Sequence, residues 1–125
     1  MDREPLDELS ERVIGAVFEV SNSLGAGFLE KVYEKALLRE LGLVGIRVAA
    51  QAPFSVLYKG HCVGEYFADI LVEGALMVEL KCVERLGYER GAQGLNYLKA
   101  SGMELCLLVN FQRSKVEVRR VVVGY

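Results

Sequence analysis

The sequence predicts an α/β protein, a mixed β-sheet flanked by helices, with its elements in the order ααβββαββ. Three observations predict it. Apolar residues recur at helical spacing up to residue 41 and then change to strand patterns. Three consecutive strands separated by two tight turns form an antiparallel meander. A helix between the third strand and the fourth provides the crossover that sets those two strands parallel.

The first helix carries Leu6, Leu9, Val13, Val17, Val20 and Leu24 on one stripe, widened by Ile14, Phe18 and Ser21. Pro5 suits a first helical turn, and Gly25-Ala26-Gly27 ends the helix. A second helix is expected over residues 28–41, with Leu29, Val32, Tyr33, Ala36, Leu37 and Leu41 as its stripe and Gly42 as its cap. Strands are expected at 51–58, at 61–72 with a bend near Gly64, and at 76–83. Lys59-Gly60 and Glu73-Gly74 supply the turns between them. A third helix over 88–100 stops at Ser101-Gly102. Residues 104–111 are almost wholly apolar, which predicts a strand buried on both faces, and 115–123 is the last strand.

The chain has 125 residues, 52% hydrophobic and 26% charged, with no repeat or low-complexity linker, so one domain over 1–125 is expected. Its net charge of -2 argues against a tight, sequence-independent nucleic-acid binder. The nearest basic cluster is Arg113, Lys115, Arg119 and Arg120. Cys62, Cys82 and Cys106 are odd in number and His61 is the only histidine, which points to reduced thiols and against a zinc site. The charged, helical start is unlike a signal peptide, and no apolar run reaches the roughly 18 residues of a membrane span. A cytoplasmic protein with no membrane association is expected.

Chemistry concentrates in the third strand. Glu79 and Lys81 are two apart and share a sheet face, about 7 Å from one another. Asp69, set among apolar neighbours in the preceding strand, falls near Glu79 if the two strands pair across Glu73-Gly74. Converging carboxylates suit Mg²⁺, which takes one or two protein carboxylates and leaves its other positions to water and phosphate. Lys81 would hold a water or offset developing charge. An ordinary solvated strand face has the same Glu/Lys alternation, so spacing alone leaves both readings open. Glu30 sits at the edge of the second helix's packed face, where it either favours the helix dipole or reaches a site. Gln93 and Tyr97 share a face of the third helix, where they bind substrate phosphate, or orient Lys81 and the metal waters, or simply complete the core.

Gly27-Phe28-Leu29-Glu30-Lys31-Val32-Tyr33 resembles the GxxExxY signature of a family of small bacterial proteins. Phe67-Ala68-Asp69, Val78-Glu79-Leu80-Lys81, Gln93 to Lys99, and Leu108-Val109-Asn110-Phe111 resemble further segments of the same family in the same order, over about residues 9 to 122. That family is placed in the PD-(D/E)XK nuclease superfamily. The resemblance implies a restriction-endonuclease-like core, Asp69 as the first acidic motif, and Glu79 with Lys81 as the E-x-K. It also implies Glu30 as the acidic residue of the first core helix and Gln93 with Tyr97 as the Q-xxx-Y motif. Metal ligands would be Asp69, Glu79 and Glu30, and the ion Mg²⁺ or Mn²⁺. The chain departs from the pattern in two places: Ala68 replaces the usual proline, and Arg90-Gly91-Ala92-Gln93-Gly94 stands where members carry His-Glu-Ala-Gln-Leu.

Two functions compete. The first is a metal-dependent nuclease hydrolysing phosphodiester bonds of DNA or RNA and holding nucleic acid weakly. The second is a catalytically inactive nuclease-fold binding or scaffold module, with the apolar tail at 121–125 favouring a homodimer. Cysteine or serine hydrolysis is disfavoured, because Cys62 points to the sheet face opposite His61.

Overall fold

The computed structural model describes residues 4–84, 86–112 and 114–123. Arg113 of the basic cluster and Gly124 and Tyr125 of the apolar tail lie outside the described residues. The elements are α1 (Glu4–Leu24), α2 (Glu30–Leu43), β1 (Val48–Tyr58), β2 (His61–Val72), β3 (Leu76–Lys81), α3 (Tyr88–Ser101), β4 (Leu105–Asn110) and β5 (Glu117–Val122). The expected order ααβββαββ holds, and the sheet is mixed. Its strands lie in the order β1-β2-β3-β4-β5, with β3 and β4 parallel and the other neighbours antiparallel.

Strand alternation sends side chains to two layers. Leu76, Val78 and Leu80 of β3 join Val13, Val17, Tyr33, Leu37 and Leu41 beneath α1 and α2. Met77 points the other way and packs with Leu98 of α3 and with Cys106 and Leu108 of β4. All six residues of β4 are buried, as a central strand covered on both faces must be.

Both hairpin turns have the left-handed residue pairs that match strand twist: Lys59 and Gly60, then Glu73 and Gly74. The bend near Gly64 is a register shift, since Val56 pairs with Gly64 but Leu57 pairs with Cys62.

Three local expectations are corrected. Gly42 is inside α2, not its cap; Gly45 takes the left-handed position instead, at φ +81°. There Gly45 N–H donates to Gly42 O and Ile46 N–H to Leu41 O, a Schellman closure that also buries Ile46 beside Leu41. Leu29 and Val32 are exposed rather than part of the packed stripe, and so is Phe18 of α1. Finally, β3 stops at Lys81 rather than at 83, because the Cys82 and Val83 N–H groups donate to Glu30 Oε2 and Asn110 Oδ1 in place of a neighbouring strand.

Candidate functional site

The site forms where β2 and β3 part. Their antiparallel pairing runs from Val72–Leu76 to Ile70–Val78, and the same register sets Asp69 opposite Glu79. Asp69 Oδ2 accepts a hydrogen bond from the Leu80 N–H at 2.7 Å, so a carboxylate takes the donor that a paired strand would have used. Asp69 and Glu79 are therefore brought together, as the sequence predicts.

Glu79 is only 5% exposed, and its Oε1 has no hydrogen-bond partner. Burial first, then the neighbouring charge of Asp69, pushes its carboxyl up to about 8, while Lys81 acts in the opposite direction. Lys81 is half-buried and makes no ion pair among the described residues.

Tyr97 reaches the same region. Its phenol is raised first by burial and then by Glu79 and Asp69. It stacks on Tyr66 at 4.2 Å, and the Tyr66 hydroxyl donates to Tyr97 O at 2.9 Å. Gln93 lies one turn earlier on α3 and is exposed.

Glu30 is placed differently from the expectation that it joins the metal set. Its Oε2 accepts from Cys82 N–H at 3.3 Å, and no group of three or more His, Cys, Asp or Glu that could hold a metal ion occurs among the described residues. The acidic residue of α2 that connects to Asp69 is Glu34, one turn later and 6% exposed. Gln51 Nε2 donates to Glu34 Oε1 at 3.0 Å and to Asp69 Oδ1 at 3.4 Å. Gln51 reaches both because it has a positive φ of 52° within β1, and pairing passes from Ala50–Ile70 to Ala52–Ala68 around it. Nothing in the local sequence marks Gln51, since a left-handed residue inside a strand is rare for any side chain but glycine.

Asn110 is a second residue that pattern reading missed, although a lone amide ending a run of buried apolar residues is a signal. It is fully buried: Oδ1 accepts from Val83 N–H and Gln112 N–H, and Nδ2 donates to Val83 O and Glu117 Oε1. Glu117 Oε1 also accepts from Leu86 N–H, so this network ties Val83 and Leu86 to the ends of β4 and β5.

Two members of the expected basic cluster are engaged within the protein. Arg119 donates to Gly87 O and Leu86 O, and Arg120 pairs with Asp7 at 2.7 Å.

The donor set that remains is Asp69 and Glu79. Two adjacent carboxylates, one with a buried oxygen lacking any partner, fit a small hard cation that takes one or two protein carboxylates. Among the described residues, no helix is long and apolar enough to cross a membrane.

A family model for the PD-(D/E)XK nuclease superfamily matches residues 7–121. No curated protein sequence matches the chain. Among solved structures, an alkaline exonuclease (LHK-Exo) from Laribacter hongkongensis superposes with a TM-score of 0.56 at 15% identity, covering 75% of this chain. A protein designated SSO0001 superposes with a TM-score of 0.56 at 18% identity, covering 95% of this chain. The matched regions make up 56% and 59% of those two longer chains, and at such identities the likeness is one of fold.

Proposed function

The chain belongs to the PD-(D/E)XK nuclease superfamily, and from that premise we propose that it is a metal-dependent phosphodiesterase acting on DNA or RNA. The observation that carries this reading is the buried Glu79 carboxylate, whose Oε1 lacks a partner, beside Asp69 at the parting of β2 and β3. In this reading Asp69 and Glu79 hold Mg²⁺ or Mn²⁺. When bound, the ion supplies the positive charge that polarises a phosphoryl oxygen.

The remaining work falls to side chains of this chain. Leu80 N–H fixes one Asp69 oxygen and Gln51 steadies the other, which keeps the carboxylate from swinging out of the site. Lys81 Nζ donates to the attacking water or to the phosphoryl oxygen on which charge develops. Tyr97 and Gln93 line the approach from α3 and orient the substrate. Glu30 acts through the Cys82 backbone, holding the end of the strand that presents Lys81. Residues 1–125 form a single nuclease-like domain of the GxxExxY type, and nucleic acid is held weakly, in keeping with the net charge of -2.

The test is calorimetric titration with Mn²⁺ of the wild type and Asp69→Asn. Saturable binding that is lost in the variant supports the site and leads to cleavage assays on DNA and RNA with Glu79→Gln and Lys81→Ala as controls. Absence of binding in both proteins favours the non-catalytic binding module instead.

A further inference from the structure

Arg90, Gln93, Tyr97 and Ser101 form one stripe of α3, and Tyr97 in that stripe faces the half of the sheet that carries Asp69 and Glu79. Their spacing puts them on one face, and contacts decide which face it is. Tyr97 stacks on Tyr66 of β2, whereas Gly94 lies on the other side against Leu108 and Val121.

The connectivity then fixes the position of Arg90 along the strand. Helix α3 begins shortly after Lys81 and ends shortly before Leu105, which pairs with Leu76 at the opposite end of β3. It therefore runs back along β3. From Tyr97 to Arg90 is about 10 Å of helix. From Met77, which the Tyr66 hydroxyl touches, to Lys81 is about 13 Å of strand. Arg90 thus comes level with the Lys81 end of the site. The charge effects agree, since Arg90 opposes the upward push of Glu79 and Asp69 on the Tyr97 phenol.

Arg90 is half-buried, and its side chain makes no ion pair or hydrogen bond among the described residues. Arg119 and Arg120, by contrast, are both engaged within the protein. A guanidinium with no acceptor inside the protein is available to an incoming anion, and its planar fork matches phosphate oxygens.

We infer that Arg90 is a phosphate-binding residue, gripping a non-reacting phosphate of a nucleic-acid strand whose neighbouring phosphodiester lies at Asp69 and Glu79. The inference rests on the nuclease reading for the identity of the ligand, but it requires no turnover. It also accounts for how a chain of net charge -2 holds a polyanion, through a local cation instead of a basic surface.

The test is fluorescence anisotropy with labelled single-stranded oligothymidylate and its RNA counterpart, in Ca²⁺, across a salt series. Arg90→Gln should weaken binding roughly 10-fold and reduce the slope of log K against log salt by about 0.7, the loss of one phosphate contact on a single strand. Arg90→Lys should keep the slope, and Arg39→Gln, an exposed α2 position, should leave binding unchanged. The arm that shows the Arg90 effect identifies DNA or RNA as the ligand. Unchanged affinity and slope in Arg90→Gln overturn the inference, as does a wild type that binds neither strand at low salt. Mn²⁺ titration separates the two readings. Mn²⁺ binding without an Arg90 effect sinks this inference alone, and Arg90-dependent strand binding without Mn²⁺ binding supports it while sinking the metal site.

Discussion

The Asp69 carboxylate occupies the place of a strand: its Oδ2 lies 2.7 Å from the Leu80 N–H, just where β2 ceases to pair with β3. One side chain therefore completes the backbone of β3 and faces Glu79. The two roles come apart in different variants. Asp69→Asn retains an oxygen acceptor for Leu80 and should lose Mn²⁺ binding with little loss of stability. Asp69→Ala leaves a half-buried N–H unsatisfied and should cost about 1–3 kcal/mol. Urea unfolding of both variants checks the split, and equal destabilisation would show that the backbone contact contributes nothing.

Gln51 holds Asp69 and Glu34 from a left-handed backbone, and these contributions have opposite signs. Gln51→Gly and Gln51→Ala both lose the amide, but only glycine relieves the backbone. Gln51→Gly should therefore be the more stable of the two by about 1 kcal/mol. Gln51→Glu sets a third carboxylate between two others and should be the least stable near pH 7, recovering as the pH is lowered. Thermal melts at two pH values decide both points.

Glu79 predicts how stability depends on pH. Its folded carboxyl is raised to about 8 against an ordinary value of 4.5. Between those values the unfolded chain has released the proton and the folded chain retains it, so the folded state binds more protons and stability falls as pH rises. Stability from this group is complete below pH 4.5 and is lost by the time pH passes about 8. The steepest slope is roughly 1.4 kcal/mol per pH unit. Glu79→Gln, which keeps a neutral polar group, should flatten that decline in metal-free protein. Mn²⁺ should stabilise the wild type more at the alkaline end of the window than at the acid end, because binding must displace the Glu79 proton. A wild-type profile already flat across the window would contradict the assignment.

Asn110 makes four hydrogen bonds with no exposed surface. Asn110→Ala should cost about 2–3 kcal/mol, since it orphans both backbone groups of Val83. Amide exchange should then quicken from Val83 to Gly87 while β1 and β2 keep their protection. Uniform acceleration throughout the protein would mean that Asn110 stabilises the fold globally instead of holding that connection.

What was legible in the sequence follows from the range of the interactions involved. Hairpin turns carry their own chemistry, so Lys59-Gly60 and Glu73-Gly74 fixed the limits of β2 and the register that sets Asp69 opposite Glu79. The start of α3 and its Gly102 cap were local in the same sense. Helix 2 was harder. Leu29, Val32, Tyr33 and Leu37 all fit one broad stripe, and only the packed sheet decides that Tyr33 and Leu37 are inside while Leu29 and Val32 are outside. The same rotation brings Glu34, not Glu30, to Gln51. Gly42 and Gly45 are both plausible caps in sequence, and Ile46 selects Gly45 by burying itself against Leu41. Asn110 and Glu117 meet only through strand pairing, so neither predicts the other.

The placement of β3 has a consequence for how the molecule is made. One neighbour, β2, is reached through a three-residue turn, while the other, β4, pairs Leu76 with Leu105, 29 positions further along the chain. Hairpins close in microseconds, whereas parallel pairing must wait for its crossover and bears a larger loop-closure entropy. Pulse-labelled amide exchange should find Val48–Tyr58 and His61–Val72 protected before Leu105–Asn110. During synthesis, a nascent chain that has emerged only through Lys81 already contains both strands of the hairpin whose register sets Asp69 opposite Glu79. Residues from α3 onward, Arg90 and Tyr97 among them, join an acidic pair that is waiting for them.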